Sequence, residues 1–582
     1  MAQVAAPRRA ALRLPAISGR TLMVLIVVGV LIYLVLGPLL MLMLSSFKNT
    51  EGVLPFEADV PWTLQNYVDV FLDGATYKVL FNTLVFAAGS LAVSFSLSLA
   101  FAWLIERTDM PLRNLLFIVI IASIGIPNVI AGIAWGLLGS PVNGLVNIPL
   151  RALFGVEGPG PLNVYTLPGL IFVQGITLVP VTFLLVAAAF RAMDASMEDA
   201  ASASGAKFRT VMRRITIPLL TPAILSALIY QFVTVVESFD IPLIIGLRAG
   251  IPLLSTQVFI EAKPPGGLPD YGLASTYSVL LLIMAIGPLI IYNRAISHSE
   301  RFATITGHTY QPRRMSLGRW KWIAAGLGLA YIVIAFVLPL LIMVWTSLQP
   351  FYAVPSIEAI GRITFDAYVG LLDNDLVKDA LLNTVVLGVA VAAGTMVMGV
   401  LISWILVRSR SRLKPILDVL AFMPHAFPGV IIGLSILLIY LLLPLPIYGT
   451  IWILVIALST QYISLSTRLM SSGIAQVERQ LEEAAETSGA SWGATMRRIV
   501  MPLIMPAFLN GFLLVFLSAI KNLTLALILF TPGSIVLSTL IWSSWDRADT
   551  ALTAALGVVM VLMTLILALI TRRLAGMGAV RT

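Results

Sequence analysis

Few side chains in this sequence are arranged for covalent chemistry. Among its 582 residues there is no cysteine, which excludes disulfides, thiolate metal sites, iron–sulfur clusters and cysteine nucleophiles. The three histidines, His298, His308 and His425, are scattered without ligand spacing, so neither a haem nor a histidine-built metal centre is expected. No Gly-x-x-x-x-Gly-Lys-Ser/Thr phosphate loop occurs, so the chain is not itself a nucleotide hydrolase. Two arrangements remain. One is a pair of acidic clusters, each followed at the same distance by glycine: Glu198, Asp199, Ala200 and Ala201 with Gly205, and Glu482, Glu483, Ala484 and Ala485 with Gly489. The other is three charges set in apolar sequence, Glu237, Asp240 and Lys521. No catalytic residue, metal ligand or bound cofactor is expected, and the meaning of both arrangements depends on the elements that carry them.

Those elements are membrane helices. Hydrophobic residues make up 59% of the chain and charged residues 11%, against roughly 45–50% and 25% in soluble domains. A spanning helix takes about 20 apolar residues. Apolar runs of that length occur at about 22–45, 78–104, 114–139, 166–190, 217–241 and 274–293, and again at 321–347, 381–407, 415–443, 449–473, 502–530 and 551–571. The first run follows Arg8, Arg9, Arg13 and Arg20, yet it is too long for a secretory signal and lacks a clear cleavage site, so it reads as a retained span. The expected fold is an all-α polytopic membrane protein of about 12 spans. Of the 37 Lys and Arg residues, 28 fall on the side of the N-terminus and 8 on the other, which is expected to place both termini on the cytoplasmic side. The formal charge of +9 therefore reflects topology, and no nucleic-acid partner is expected beside membrane lipid.

The chain repeats itself. A shift of 301 residues aligns Ser46 with Ser347, Tyr67 with Tyr368, Asn82-Thr83 with Asn383-Thr384, Trp103 with Trp404, Arg107 with Arg408, and Pro127 with Pro428. Beyond the third span of each half the shift falls to 284, because the first half carries a longer segment around residues 140–163. The reading is a six-helix half over 1–297, a cytoplasmic linker over 298–319 and a second half over 320–582. An even number of spans per copy relates the halves by a pseudo-twofold axis along the membrane normal. Asn82 and Asn383 read as helix caps, and Pro127 and Pro428 as bends in the third spans. An ion-coupled secondary transporter of two six-helix repeats is the alternative of a different class; it would want intramembrane acids near the midplane and has no need of two matched loops.

The acidic clusters open the loops between the fourth and fifth spans of each half. The segments EDAASASGAKFRTVMRRITIPLLTPA (198–223) and EEAAETSGASWGATMRRIVMPLIMPA (482–507) match at 14 of 26 positions. Acids suit the first turn of a short helix. Gly205 and Gly489 can end it with positive φ, and Pro218 and Pro502 suit the first turn of the following span. This pattern, acid-Ala-Ala, three residues, Gly, nine residues, Ile, two residues, Pro, resembles the EAA motif of ATP-binding-cassette importer permeases. Asp199 stands where the first copy would carry Glu. The resemblance extends to both halves, and is nearest to fused permeases of the ferric-iron type, with those for aminoethylphosphonate, thiamine and polyamines beside them. It implies a type I importer-like fold in a bacterial inner membrane, docking of each loop in one of two ATPase subunits that use ATP and magnesium, and a periplasmic or lipid-anchored substrate-binding protein on the opposite face.

The offset of 284 places Lys521 at the position equivalent to Glu237. Glu237 lies 19 residues beyond Pro218, about 28 Å along a helix, which places it near the external end of the fifth span. Ionisable groups in spans are expensive and mark pathways. Glu237 and Lys521, with Asp240 beside them, are expected either to face each other across the path as a gate or substrate contact, or to reach the interface and pair with loops.

Overall fold

In the computed structural model, residues 19–57, 59–193, 196–296, 314–409 and 411–579 are described. Residues 298–313 of the expected linker, with His298 and His308, and the N-terminal Arg8, Arg9 and Arg13 lie outside them. Among the described residues the chain is helical, without a β-strand beyond isolated bridges. Ten helices are long and apolar enough to cross a membrane, and two bent helix pairs bring the number to 12 if each pair is one span. In the first half these are α1 (Thr21–Ser45), α2 (Gly74–Arg107), the bent pair α3 (Arg113–Ser123) and α4 (Asn128–Leu138), and α5 (Leu167–Ala192). Then come the short α6 (Ser196–Ala203), the span α7 (Phe208–Val236), the short α8 (Leu254–Ala262) and α9 (Tyr271–Ile296). The second half repeats the order: α10 (Trp320–Ser347), α11 (Asp375–Arg408), the bent pair α12 (Lys414–Ala426) and α13 (Gly429–Leu442), and α14 (Ile451–Ala475). It continues with α15 (Arg479–Thr487), α16 (Trp492–Ile520), the five-residue α17 (Thr524–Ile528), α18 (Leu537–Asp546) and α19 (Thr550–Ala579).

The duplication is structural. Helices α2 and α11 are both 34 residues long at an offset of 301, α7 and α16 are both 29 residues long at 284, and the bent pairs turn through 107° and 108°. Repeated residues make repeated contacts. Ser46 Oγ lies 2.7 Å from the Tyr67 hydroxyl, and Ser347 Oγ 2.7 Å from that of Tyr368. Thr83 Oγ1 accepts the Leu254 amide at 3.0 Å, and Thr384 Oγ1 the Leu537 amide at 2.8 Å, so each threonine satisfies the first amide of a short helix, α8 or α18.

Hydrophobic attraction does not join helices inside lipid, so close approach and polar contacts must. Between α2 and α5, a Cβ on Gly89 would stand 2.8 Å from Ile171 and one on Gly175 2.6 Å from Val93. Ser94 and Thr182 share a hydrogen bond of 2.7 Å there. Between α11 and α14, Gly399 packs on the Ser466 backbone and Ser403 Oγ donates to the Thr467 carbonyl at 2.7 Å.

Three expectations are corrected. The fifth spans do not run to 241 and 530: α7 ends at Val236 and α16 at Ile520. The chain then breaks, because Pro242 and, in the other copy, the Lys521–Leu523 turn interrupt the ladder. Asn82 and Asn383 lie inside α2 and α11, whose caps are instead Asp73, accepting from the Ala75 amide at 2.9 Å, and Asn374, accepting from the Leu376 amide at 3.0 Å. Pro218 and Pro502 fall within helices that begin earlier, at Phe208 and Trp492; each follows a widened π turn, Met212–Thr216 and Met496–Val500, that absorbs the missing amide donor.

The end of the linker is pinned to the first half. The Met315 amide donates to the Arg107 carbonyl at 2.9 Å and the Asp109 amide to the Met315 carbonyl at 3.1 Å. Asp109 also accepts from the Leu317 amide at 2.9 Å and from Ser316 Oγ at 3.1 Å. The Leu317 amide, before Ser316, holds the Asp109 carboxyl below its ordinary value of 3.8. A folded-state value below the unfolded one means that this contact is fully present above 3.8 and is lost as pH falls through the depressed value. Asp109→Asn should therefore speed hydrogen exchange of the Leu317 amide at neutral pH several-fold, read by mass spectrometry of the 314–322 peptide; unchanged exchange would mean that the Met315 backbone pair alone holds the linker.

Candidate functional site

The two loops are built alike. Helix α6 ends at Gly205 and α15 at Gly489, both with φ +82°. The Ala206 amide reaches back to the Ala201 carbonyl and the Ala490 amide to the Ala485 carbonyl, each at 3.0 Å, the six-to-one bond of a Schellman ending, for which a residue without Cβ is favoured. Past the glycine the chain re-enters helix at Phe208 or Trp492. The small faces stay open: Ala200, Ala203 and Ala484 are exposed, as are Gly205, Gly489 and the four arginines Arg213, Arg214, Arg497 and Arg498.

Each loop is fastened to the second span of its half by one acid. Glu482 is buried; its Oε1 accepts from Arg408 Nε at 2.8 Å and its Oε2 from the Trp404 indole at 3.1 Å. Arg408 also donates to the Ile474 carbonyl at 3.1 Å and to the Val477 carbonyl. In the other copy Arg107 Nε lies 3.2 Å from Glu198 Oε2, and Thr216 Oγ1 donates to Glu198 Oε1 at 2.5 Å. Arg107 also donates to the Phe190 carbonyl at 3.0 Å and the Met193 carbonyl at 3.3 Å. An aromatic pair closes each joint: Trp103 on Phe208 at 5.4 Å between ring centres, and Trp404 on Trp492 at 5.2 Å. Glu483 pairs only along its own helix, with Arg479 at 2.9 Å. Thus Glu198 and Glu482 face inward to the joint, while Asp199 is half-buried and Glu483 is exposed.

The three membrane charges line one cavity of about 360 Å³ between the halves. Its walls include Gln174 of α5, Gln231 of α7 and Tyr462 of α14. Because α7 and α16 stop short, Glu237, Asp240 and Lys521 lie in this cavity and not at an outer interface. Lys521 Nζ donates to the Ile124 carbonyl at 2.9 Å, at the bend between α3 and α4. Thr524 Oγ1 donates to Asp240 Oδ1 at 3.2 Å. Asp240 and Thr524 are separated by the repeat offset of 284, so each bonds its own counterpart, and such a contact lies beside the pseudo-twofold axis. Among the described residues no ion pair within 4 Å joins Glu237 to Lys521, and the Glu237 carboxylate has no hydrogen-bond partner. Tyr230, His425 and Phe422 stack nearby, with Tyr230 5.5 Å and Phe422 5.6 Å from the His425 ring centre. No group of three or more His, Asp or Glu suited to a metal ion occurs among the described residues.

Comparison with known proteins identifies this architecture. Residues 92–349 and 395–577 match the family described as binding-protein-dependent transport system inner membrane component. The chain belongs to that family. Its relatives include the ferric transport system permease protein FbpB of Actinobacillus pleuropneumoniae, 24% identical over 79% of this chain and 64% of that protein. A putative ferric transport system permease protein FbpB 1 of Haemophilus influenzae is 25% identical over 73% of this chain and 68% of that one. The putative 2-aminoethylphosphonate transport system permease protein PhnU of Salmonella choleraesuis is 25% identical over 49% of this chain and 96% of its own. The chain thus aligns with slightly under two thirds of the first of these relatives.

Within this permease family frame, sequence reasoning placed the loops but missed what they fasten to. Arg107 and Arg408 were visible as an aligned pair, yet nothing local to them says that they meet an acid 91 or 74 residues on. Arg468 was counted with the cytoplasmic-side cations; it lies within α14, its guanidinium carbon 4.8 Å from the Phe422 ring centre.

Two outcomes are expected. Breaking one side of a buried ion pair costs about 3–5 kcal/mol, so Glu482→Gln and Arg408→Met should each lower the thermal midpoint in detergent, and the double variant should lose less than their sum; strict additivity would show that the pair does not interact. Exchanging the charges, Glu237→Lys with Lys521→Glu, should not restore the uptake lost in the single variants, because Lys521 is held by Ile124 and not by Glu237.

Proposed function

We propose that this chain is the membrane-spanning permease of an ATP-driven, binding-protein-dependent importer, and that solute passes between its halves, residues 1–297 and 320–582, by alternating access. Both termini lie in the cytoplasm, with the loops at Glu198–Gly205 and Glu482–Gly489 each seated in one ATPase subunit. A substrate-binding protein delivers solute to the opposite face. ATP is hydrolysed with magnesium by the partners, and this chain binds no cofactor of its own. The observation that carries this reading is the mounting of the two loops: each is an exposed short helix with an open, small-residue face, stopped by a glycine at φ +82° and fastened by an inward-facing acid to the end of a 34-residue span. A free surface loop has no need of such a fastening, and two of them on one face match two identical docking partners.

Ferric iron is the first substrate reading, supported by the named function of the relatives at about a quarter identity; aminoethylphosphonate has support from PhnU, and thiamine and polyamine stand behind it. The acids of the cavity, Glu237 and Asp240, favour a solute that presents positive charge on its way through. The ion-coupled alternative draws on one feature, the buried carboxylates near the pseudo-twofold axis.

Reconstitution decides between them. Proteoliposomes carrying the chain with its ATPase and binding protein should take up solute only with ATP inside the ATPase-facing compartment; uptake driven by a proton or sodium gradient without ATP would overturn the reading. Proline cannot adopt positive φ, so Gly205→Pro or Gly489→Pro should abolish co-purification of the ATPase while the chain still reaches the membrane.

A further inference from the structure

On the face opposite the Gly205 and Gly489 loops, the first half reaches across to the second with two cations. Lys263, just past α8, donates from Nζ to the carbonyls of Leu527 at 3.1 Å and Phe530 at 3.3 Å. These oxygens lie at the end of α17, where the Leu527 carbonyl also accepts the Phe530 amide at 3.3 Å. Arg248 donates to the Trp545 carbonyl at 3.2 Å, its guanidinium carbon 4.4 Å from the Trp545 ring centre, at the end of α18. The second half does not return the contact. From α8 onward the shift is 283, the one that pairs Leu254 with Leu537, so Lys263 corresponds to Asp546, an exposed acid that has no hydrogen to donate when ionised, and the neighbouring Arg547 side chain is exposed and makes no hydrogen bond or ion pair among the described residues.

Helix α17 is therefore held by the first half at both ends. Thr524 at its start bonds Asp240 in the cavity wall, and Leu527 near its end bonds Lys263. It separates the cavity, which Leu523 and Thr524 line, from the Lys263 contact. We propose that α17 is the gate of the solute path on the face away from the loops, clamped closed by Lys263 with Asp240, and that the clamp is one-sided because Asp546, at the position of Lys263, cannot repeat it and Arg547 beside it does not. This rests on the reading of the cavity as the solute path. A solute that drew the Asp240 carboxylate away from Thr524 would loosen the helix whose other end closes the entrance.

The absence of cysteine makes the test clean. Thr234 lines the cavity and lies outside the clamp, so Thr234→Cys gives the full chain a single reporter for a membrane-impermeant maleimide, added to spheroplasts for one face and to inverted vesicles for the other. From the face opposite the loops, labelling should be slow in the parent and about tenfold faster with Lys263→Met, the population change expected when charge-assisted hydrogen bonds of a closed state are lost. Lys263→Arg should restore protection, Asp240→Asn should raise labelling as well, and Arg547→Met should leave it unchanged. Unaltered protection in both Lys263→Met and Asp240→Asn, with the protein eluting as a single species, overturns the clamp. Equal acceleration by Arg547→Met also overturns it, since the one-sided contact would then not be the cause. Slow labelling from both faces in every variant overturns the clamp and the solute-path reading together; brisk labelling from the loop face alone overturns only the clamp.

Discussion

A hydrocarbon slab offers backbone amides and carbonyls no water, so irregular chain at membrane depth survives only where protein supplies its partners or where it borders a cavity. The rest of this structure follows from that constraint. The third span of each half bends through more than 100° and the fifth stops short, leaving carbonyls and amides that need partners. Lys521 serves the Ile124 carbonyl, Thr564 the Gly125 carbonyl at 3.0 Å, and Thr83 and Thr384 the first amides of α8 and α18. The breaks collect around the pseudo-twofold axis, and the space they leave is the charged cavity. Two of the charges in that cavity are met at the breaks themselves, Lys521 by the Ile124 carbonyl and Asp240 by the Thr524 hydroxyl.

The pseudo-symmetry is closest where the halves must act alike and fails where they must differ. The glycines at φ +82°, the arginine at the end of the second span and the aromatic pair at its side recur in both copies. A buried ion pair contributes little net stability against an apolar substitute, but its rupture is costly, so the Arg408–Glu482 joint works as a stiff connector and not as a store of folding energy. In the cavity the copies part: Glu237 faces the position of Lys521, and Asp240 that of Thr524.

Spans, their number, the duplication and the two loops were legible because each rests on a pattern local in sequence: hydropathy, offset and motif spacing. The glycine endings were legible for the same reason. What failed was long-range. A run such as 217–241 is apolar throughout, and hydropathy does not distinguish a helix that continues from one that breaks inside protein; Pro242 was the available signal, one residue past the expected end. Asn82 stands near the start of the apolar run at 78, but the helix begins earlier and its cap is Asp73, nine residues before. The partners of Arg107, Arg408 and Lys521 come from other helices, and no spacing within one segment encodes them.

One connection ties the loops to the far face. Helix α2 carries at one end Arg107, the seat of Glu198, and 24 residues earlier Thr83, which holds the first amide of α8. That is about 36 Å of unbroken helix at 1.5 Å per residue. Helix α8 leads directly to Lys263. In the second half α11 joins Arg408 and Glu482 to Thr384 and so to α18, whose last turn receives Arg248. A 34-residue helix is stiff along its axis because every turn is hydrogen-bonded to the next, so a tilt imposed on the loop end is carried to the threonine end. The loops and the inter-half contacts on the opposite face therefore share two rigid rods, each ending at a short helix, α8 or α18, that follows a broken fifth span.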